Sequence, residues 1–300
     1  MSKFLYIFLI ISIASPVFSS NFCQLEKEVC RGNPHTGCSG TGLPTPKPSE
    51  CKNKRIIEIT SDLKHLLLSE HNSWRNDLAS GHIGNFPSAT RMLKMHWDDE
   101  LALLAQKHAD FCVFEHDNCR ATDKYLKSGQ NLALKMYSHP KEDYHQMIKE
   151  MCAEWFEEYE LVPKRKIEAI VKEYQHQSSY GHFFVMAREK NDAVGCALVS
   201  MENTELSAAV PHHFMLTCNY AETNIKKSVV YDQGIAATRC DSFGIEFKRD
   251  KNDCTSLCES SKTNEALLDN STLCYRKSMG NVNFGSLTTI FVLSMMNFAK

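Results

Sequence analysis

Thirteen cysteines are spread from Cys23 to Cys274, and none lies before Cys23. The chain opens with Lys3, the apolar run Phe4–Ile11 and the small-residue stretch Val17-Phe18-Ser19. This is the pattern of a secretory signal and predicts removal of residues 1–19, with cleavage before Ser20. The apolar run is too short to cross a bilayer. In an exported chain such a cysteine density means a disulfide framework. Thirteen is odd, so one thiol is left free or joins another molecule. The formal net charge is -2 and becomes -3 without Lys3, so nothing points to nucleic acid as a partner. Three hundred residues suffice for a sizeable core.

Residues 20–55 hold Cys23, Cys30, Cys38 and Cys51 among glycines and prolines, with the proline-rich connection Thr41–Pro48. Such a lobe can barely bury a core, so its cysteines must staple it to itself and to the main domain. A helix is expected from the N-cap Ser61 to the stop at Gly81, with Leu63, Leu67, His71, Trp74 and Leu78 on one face. A second opens at Asp98-Asp-Glu100 and ends near Cys112. Phe114–Arg120 reads as a polar loop carrying His116, and Ser128–Ala133 as a turn feeding a short extended piece. A third helix is expected from Pro140, with Met147, Met151, Trp155 and Glu158 on one face, and a fourth over Pro163–Tyr174. A carboxylate on an apolar face needs a partner; failing that, Glu158 would sit in solvent at a frayed end.

In Ser179–Ala187, Phe183, Val185 and Ala187 alternate with His182, Phe184 and Met186, which predicts a strand. Ala193–Val199 and His213–Tyr220 would complete a three-stranded meander. Beyond Tyr220 lie Cys240, Cys254, Cys258, Cys274 and one glycosylation sequon at Asn270. The tail, 284–300, is apolar; it is expected to be a packed or disordered end, or the cleaved signal of a lipid anchor attached near Ser278-Met-Gly280.

Taken together, eight ordered motifs resemble the CAP superfamily of cysteine-rich secretory, antigen 5 and pathogenesis-related 1 proteins, in its insect antigen-5-like branch. They are His71-Asn72 with Arg75, Met95–Ala102, His116-Asp117 with Cys119-Arg120, Gly129–Ala133, Trp155 with Glu158, Gly181-His-Phe183, Val194-Gly-Cys196 and Cys218-Asn-Tyr220. The resemblance covers roughly residues 23–234. It implies an α+β fold, an α-β-α sandwich with a small antiparallel sheet between helices, over 56–225. The stapled lobe precedes it and a cysteine-containing extension, 226–283, follows.

The resemblance also implies a cleft lined by His116, position 130, Glu158 and His182. Position 130 is Gln, where much of the superfamily has Glu, and the strand motif lacks the usual Thr-Gln after His-Phe. Two imidazoles, His116 and His182, could hold Zn²⁺, but Gln130 cannot act as a base. Zinc binding is therefore expected to be weak or absent near neutral pH, and stronger in Gln130→Glu. Family spacing implies the disulfides Cys23–Cys38, Cys30–Cys119, Cys51–Cys112 and Cys196–Cys218; Cys240–Cys258 is added to these as a further expectation outside the resemblance, leaving Cys152, Cys254 and Cys274 unassigned. The expected role is a secreted extracellular binding or signalling module for a lipid, small amphiphile or protein. The alternative is a zinc-dependent hydrolase with His116 and His182 as ligands and Glu158 as base. Membrane association would come only through an anchored tail.

Overall fold

A computed structural model describes residues 21–260 and Cys274. The expected signal sequence, the Asn270 sequon and the tail with its anchor site lie outside the described residues. The elements in chain order are α1 (Phe22–Glu28), β1 (Lys52–Ile57), α2 (Ser61–Ser80), β2 (His96–Trp97), α3 (Asp99–Ala109), β3 (Gly129–Tyr137) and α4 (Tyr144–Glu157). They continue with α5 (Ile167–Lys172), α6 (Gly181–Ala187), β4 (Ala193–Glu202), β5 (His212–Tyr220), β6 (Phe247–Arg249) and β7 (Cys258–Ser260).

The main sheet runs β1-β4-β5-β3, with β2 parallel to β4. β5 is its spine: it pairs over its whole length with β3, Gly129↔Tyr220 to Tyr137↔His212, and with β4, Val194↔Tyr220 to Glu202↔His212. One face is covered by α2, α4 and α6, whose Leu67, Leu68, Ile148, Met151, Phe156, Phe183 and Phe184 meet Leu198, Phe214 and Leu216. The opposite face is covered by α3, whose Ala105 and Ala109 meet Ala197, Val199 and Met215. This is the α-β-α sandwich. With both faces covered, β4 reads as a nearly continuous buried run, without alternation. Gly195 permits the closest approach: a Cβ there would lie 2.2 Å from the Ala102 nitrogen, at the start of α3.

Helix boundaries follow the local chemistry. Thr60, one residue before the expected cap, accepts the Leu63 N–H, and Gly81 closes α2 at φ 81°. The third helix starts at Tyr144, not Pro140, because the Asp143 carboxylate caps it by accepting from Gln146 N–H. The extended piece after Ser128 grows to nine residues, since β5 offers a full-length partner.

The largest correction concerns Gly181–Ala187, which is a helix and not the first strand of a meander. All five residues from Phe183 to Ala187 are buried. A short helix buried on every side has no exposed face to reveal its period, so alternating side-chain size mimics a strand. The strand that flanks β5 opposite β4 is β3.

The N-terminal lobe is stapled internally by Cys23–Cys38 and to the main body by Cys30–Cys119 and Cys51–Cys112. Cys196 and Cys218 are bonded between directly opposed positions of β4 and β5. Cys240–Cys258 and Cys254–Cys274 tie the C-terminal extension. That extension also docks on the segment before β2, through Cys258 N–H to Met92 O (2.8 Å) and the buried ion pair Lys94–Asp250 (3.0 Å).

Cys152 alone stays a thiol, fully enclosed in the core, where burial pushes its ionisation well up. An Ellman titration should therefore find no reactive thiol in native protein and one per chain in denaturant. A native protein that reacts at once would contradict this packing.

Candidate functional site

Four side chains expected in a cleft come from four separate elements. His116 lies in the loop after α3, Gln130 is the second residue of β3, Glu158 follows α4, and His182 is the second residue of α6. The structure joins them as two pairs. His182 Nδ1–H donates to Glu158 Oε1 at 2.6 Å, and His116 Nδ1–H donates to Gln130 Oε1 at 2.8 Å. Glu158 is not in solvent at a frayed end: its second oxygen accepts the Phe183 N–H at 3.1 Å. The first turn of α6 offers N–H groups with no intrahelical partner, so a carboxylate belongs there. Trp155 tilts against the His182 ring, 6.1 Å between centroids, and its own N–H is taken by Leu132 O.

The loop bearing His116 is fixed from both sides. His108, buried in α3, donates Nε2–H to Glu115 O and accepts from the Thr217 hydroxyl. Asp117 is held by the Thr36 hydroxyl of the N-terminal lobe and by the Arg120 guanidinium. Burial raises the Asp117 carboxyl, but Arg120, His108 and these hydrogen bonds outweigh it and hold it below its usual range. The lobe adds Thr36 N–H to Cys119 O and His35 to Ala121 O. It braces the cleft loop, a role that its irregular sequence does not announce.

His116 is exposed as a residue, yet protein crowds its ring. That desolvation, followed by Arg120 and more weakly His182, keeps its imidazolium below the ordinary range, against the hydrogen bond to Gln130. At neutral pH His116 is thus an uncharged ring with its Nε2 lone pair available.

Gln130 fits its position for a reason that its sequence does not reveal. Its amide Nε2 donates to Asn219 Oδ1 (3.1 Å), while Asn219 Nδ2 donates onward to Leu101 O (3.2 Å). The chain of donors fixes the Gln130 carbonyl toward His116. A Glu here would set a carboxylate oxygen against Asn219 Oδ1, so the substitution expected to strengthen metal binding also breaks this chain.

As a metal site the cleft offers two imidazole nitrogens. Both Nδ1 atoms are engaged in the supporting bonds that metal-ligating histidines use, and Glu158 makes one of those bonds while its other oxygen holds the Phe183 N–H. Catalytic zinc sites use three protein ligands, so this donor set is one short. Among the described residues the one converging group of three metal-type donors is Cys30, His35 and Cys119, which the Cys30–Cys119 disulfide closes.

The motif residues His71, Asn72 and Arg75 do not enter the cleft; they support it from below. Asn72 exchanges two hydrogen bonds with the Met95 backbone. His71 donates Nδ1–H to Leu67 O (2.7 Å) and accepts from the Tyr220 hydroxyl (2.9 Å). Asn131 Nδ2 donates to that hydroxyl and to His182 O, each at 3.3 Å. Away from these residues, an open apolar groove of about 370 Å³ lies between β1 and the starts of α2 and α4, lined by Ile56, Ile57, Leu63 and Tyr144 together with Arg55, Glu58, Thr60 and His145. The sequence reading missed it, because its walls come from three elements.

Burial lowers His71 from 6.5 to about 4. Its folded pKa lies below its unfolded one, so the unfolded chain takes up the proton first and stability falls as pH drops from 6.5 toward 4. This group alone removes on the order of 3 kcal/mol across that window. Urea midpoints measured through it should fall less steeply in His71→Gln, with His108 and His116, also lowered, supplying the remaining slope. Equal slopes in variant and wild type would contradict the assignment.

The family model for CAP, the cysteine-rich secretory protein family, matches residues 68–220. "Venom allergen-1" of Aedes aegypti is 32% identical over 222 residues, covering 74% of this chain and 82% of that protein. "Antigen 5 like allergen Cul n 1" of Culicoides nubeculosus is 36% identical over 209 residues, covering 66% and 92%. Among solved structures, the hookworm platelet inhibitor superposes with a TM-score of 0.51 at 18% identity, over 71% of this chain and 98% of that one, which is a likeness of fold.

Proposed function

The chain belongs to the CAP family of cysteine-rich secretory proteins, in the company of insect venom allergens and antigen 5, and from that premise we propose that it is a secreted, non-catalytic binding module for a small amphiphile. The observation that carries this reading is the state of Glu158. It is the one carboxylate paired with a cleft histidine, and both its oxygens accept hydrogen bonds, from His182 and from Phe183 N–H. Both bonds commit Glu158 to orienting an imidazole and a helix start, and both would weaken if it took up a proton as a general base. Gln130 cannot supply one.

The ligand class follows from the groove. Its floor of Ile56, Ile57 and Leu63 would take an aliphatic chain, at about 25 cal/mol for each Å² of apolar surface removed from water. Arg55 is part of the same lining, its guanidinium donating to the Tyr144 hydroxyl, and would meet an anionic headgroup. Export agrees with the cysteine framework and with relatives of this family, and among the described residues no helix is long and apolar enough to cross a membrane.

Titration of the full-length secreted protein with a fluorescent long-chain fatty acid should give saturable binding, weakened about tenfold in Arg55→Glu, a loss of 1.4 kcal/mol. Failure to saturate would sink the amphiphile reading. Ester or peptide turnover abolished by Glu158→Gln would overturn the non-catalytic one in favour of the hydrolase.

A further inference from the structure

The chain is weakly acidic overall, yet its cations are not evenly spread. Lys164, Arg165 and Lys166 form a single 3₁₀ turn that leads into α5, and Lys172 closes that helix. Ile167, Ile170 and Val171 face the core, so the remaining positions point outward. The segment after β5 is then drawn alongside. Lys227 N–H donates to Tyr174 O, Tyr174 N–H to Ser228 O and Val230 N–H to Val171 O, all at 2.9 Å. These bonds set Lys226 and Lys227 next to the end of α5. Lys227 adopts φ 62°, the turn conformation that a Gly or Asn would usually fill.

The result is a strip of six cations from two distant parts of the chain. α5 separates its two ends by about 9 Å at 1.5 Å per residue. All six side chains are exposed, and among the described residues none makes an ion pair. Elsewhere Lys54, Lys64, Lys94 and Lys135 do have carboxylate partners. Six cations around two carboxylates leave an excess of positive charge that gathers counterions, and a polyanion that displaces those counterions binds with a gain in entropy.

We propose that this strip binds a linear sulfated polysaccharide of the glycosaminoglycan class. Heparin-type signals are K/R-rich segments of five to eight residues; the run Lys164-Arg-Lys166 is shorter, and the fold extends it with Lys172, Lys226 and Lys227. Glu168 and Glu173 stand exposed among these cations. A flat layer of acidic headgroups would press against both carboxylates, whereas a single chain can run past them from one cation to the next. Ile225 and Val229, exposed beside the lysine pair, are the feature an acidic membrane would use, which makes vesicles the competing probe.

The full-length protein is applied to immobilised heparin and eluted with salt, in parallel with co-sedimentation on phosphatidylserine vesicles. Wild type should be retained at roughly 0.15 M NaCl. The variants Lys226→Ala/Lys227→Ala and Lys164→Ala/Arg165→Ala/Lys166→Ala should each bind at least about tenfold more weakly, with a shallower salt dependence. The control Lys107→Ala/Lys190→Ala removes the same charge as the lysine pair from exposed sites elsewhere and should elute with wild type. Wild type that flows through, or a control that weakens as much as Lys226→Ala/Lys227→Ala, would overturn the proposal. So would binding to the vesicles without binding to heparin.

Discussion

A seven-residue helix is too short to persist in water by itself, and α6 persists because side chains from elsewhere hold it at both ends. At its start, the Glu158 carboxylate accepts the Phe183 N–H. At its close, the fully buried Arg75 guanidinium donates to Met186 O and Arg188 O while it also grips Leu93 O. Amides from three other segments take further carbonyls: Asn224 on Gly181 O, Asn131 on His182 O and Asn191 on Val185 O. Among the described residues Arg75 has no directly bonded carboxylate. Burial lowers it to about 9, with Asp192, Glu189 and Glu222 acting from a distance to keep it charged. A cation at the carbonyl end of a helix is favourable, and removing it would leave several buried carbonyls unpaired, at about 1–3 kcal/mol each.

The cleft inherits its geometry from this arrangement. α6 presents His182 to Glu158 only while its two ends stay fixed, and the loop of His116 is fixed in turn by His108, Asp117 and the stapled lobe. The same bonds that position the imidazoles give their carboxylate and amide partners supporting roles. Glu158 orients one ring and the first turn of α6, and Gln130 orients the other ring and Asn219. Each ring is thereby tied to one partner and one orientation. The apolar groove and the basic strip lie outside this network, made of side chains whose hydrogen-bonding or charge capacity is still open.

How much of this was legible in the sequence differs from element to element. α2 and α3 were readable because each has a polar face and a capping residue within one position of the place expected. The sandwich and the membership of His116, Gln130, Glu158 and His182 in one region came from motif resemblance, which carries long-range information that periodicity lacks. α6 was misread for a physical reason: a helix buried on every side shows no 3.6-residue pattern, and the two groups that hold its ends, Glu158 and Arg75, are 24 and 111 positions from the residues they bind, His182 and Met186. Gln130 looked like a lost acid until Asn219 and Leu101 supplied the donor chain that calls for an amide. The groove and the lysine strip were illegible, since each is assembled from elements far apart in the chain.

Native-state hydrogen exchange at the Phe183 amide in Arg75→Lys bears most directly on the dependence of α6 on Arg75. Lysine keeps the charge but cannot fork to Leu93, Met186 and Arg188 together. The Phe183 N–H, at the other end of α6, should then exchange much faster than in wild type, while the amides of β5 keep their protection. Unchanged protection at Phe183 would mean that α6 stands without the guanidinium, and the dependence argued from Arg75 would be wrong.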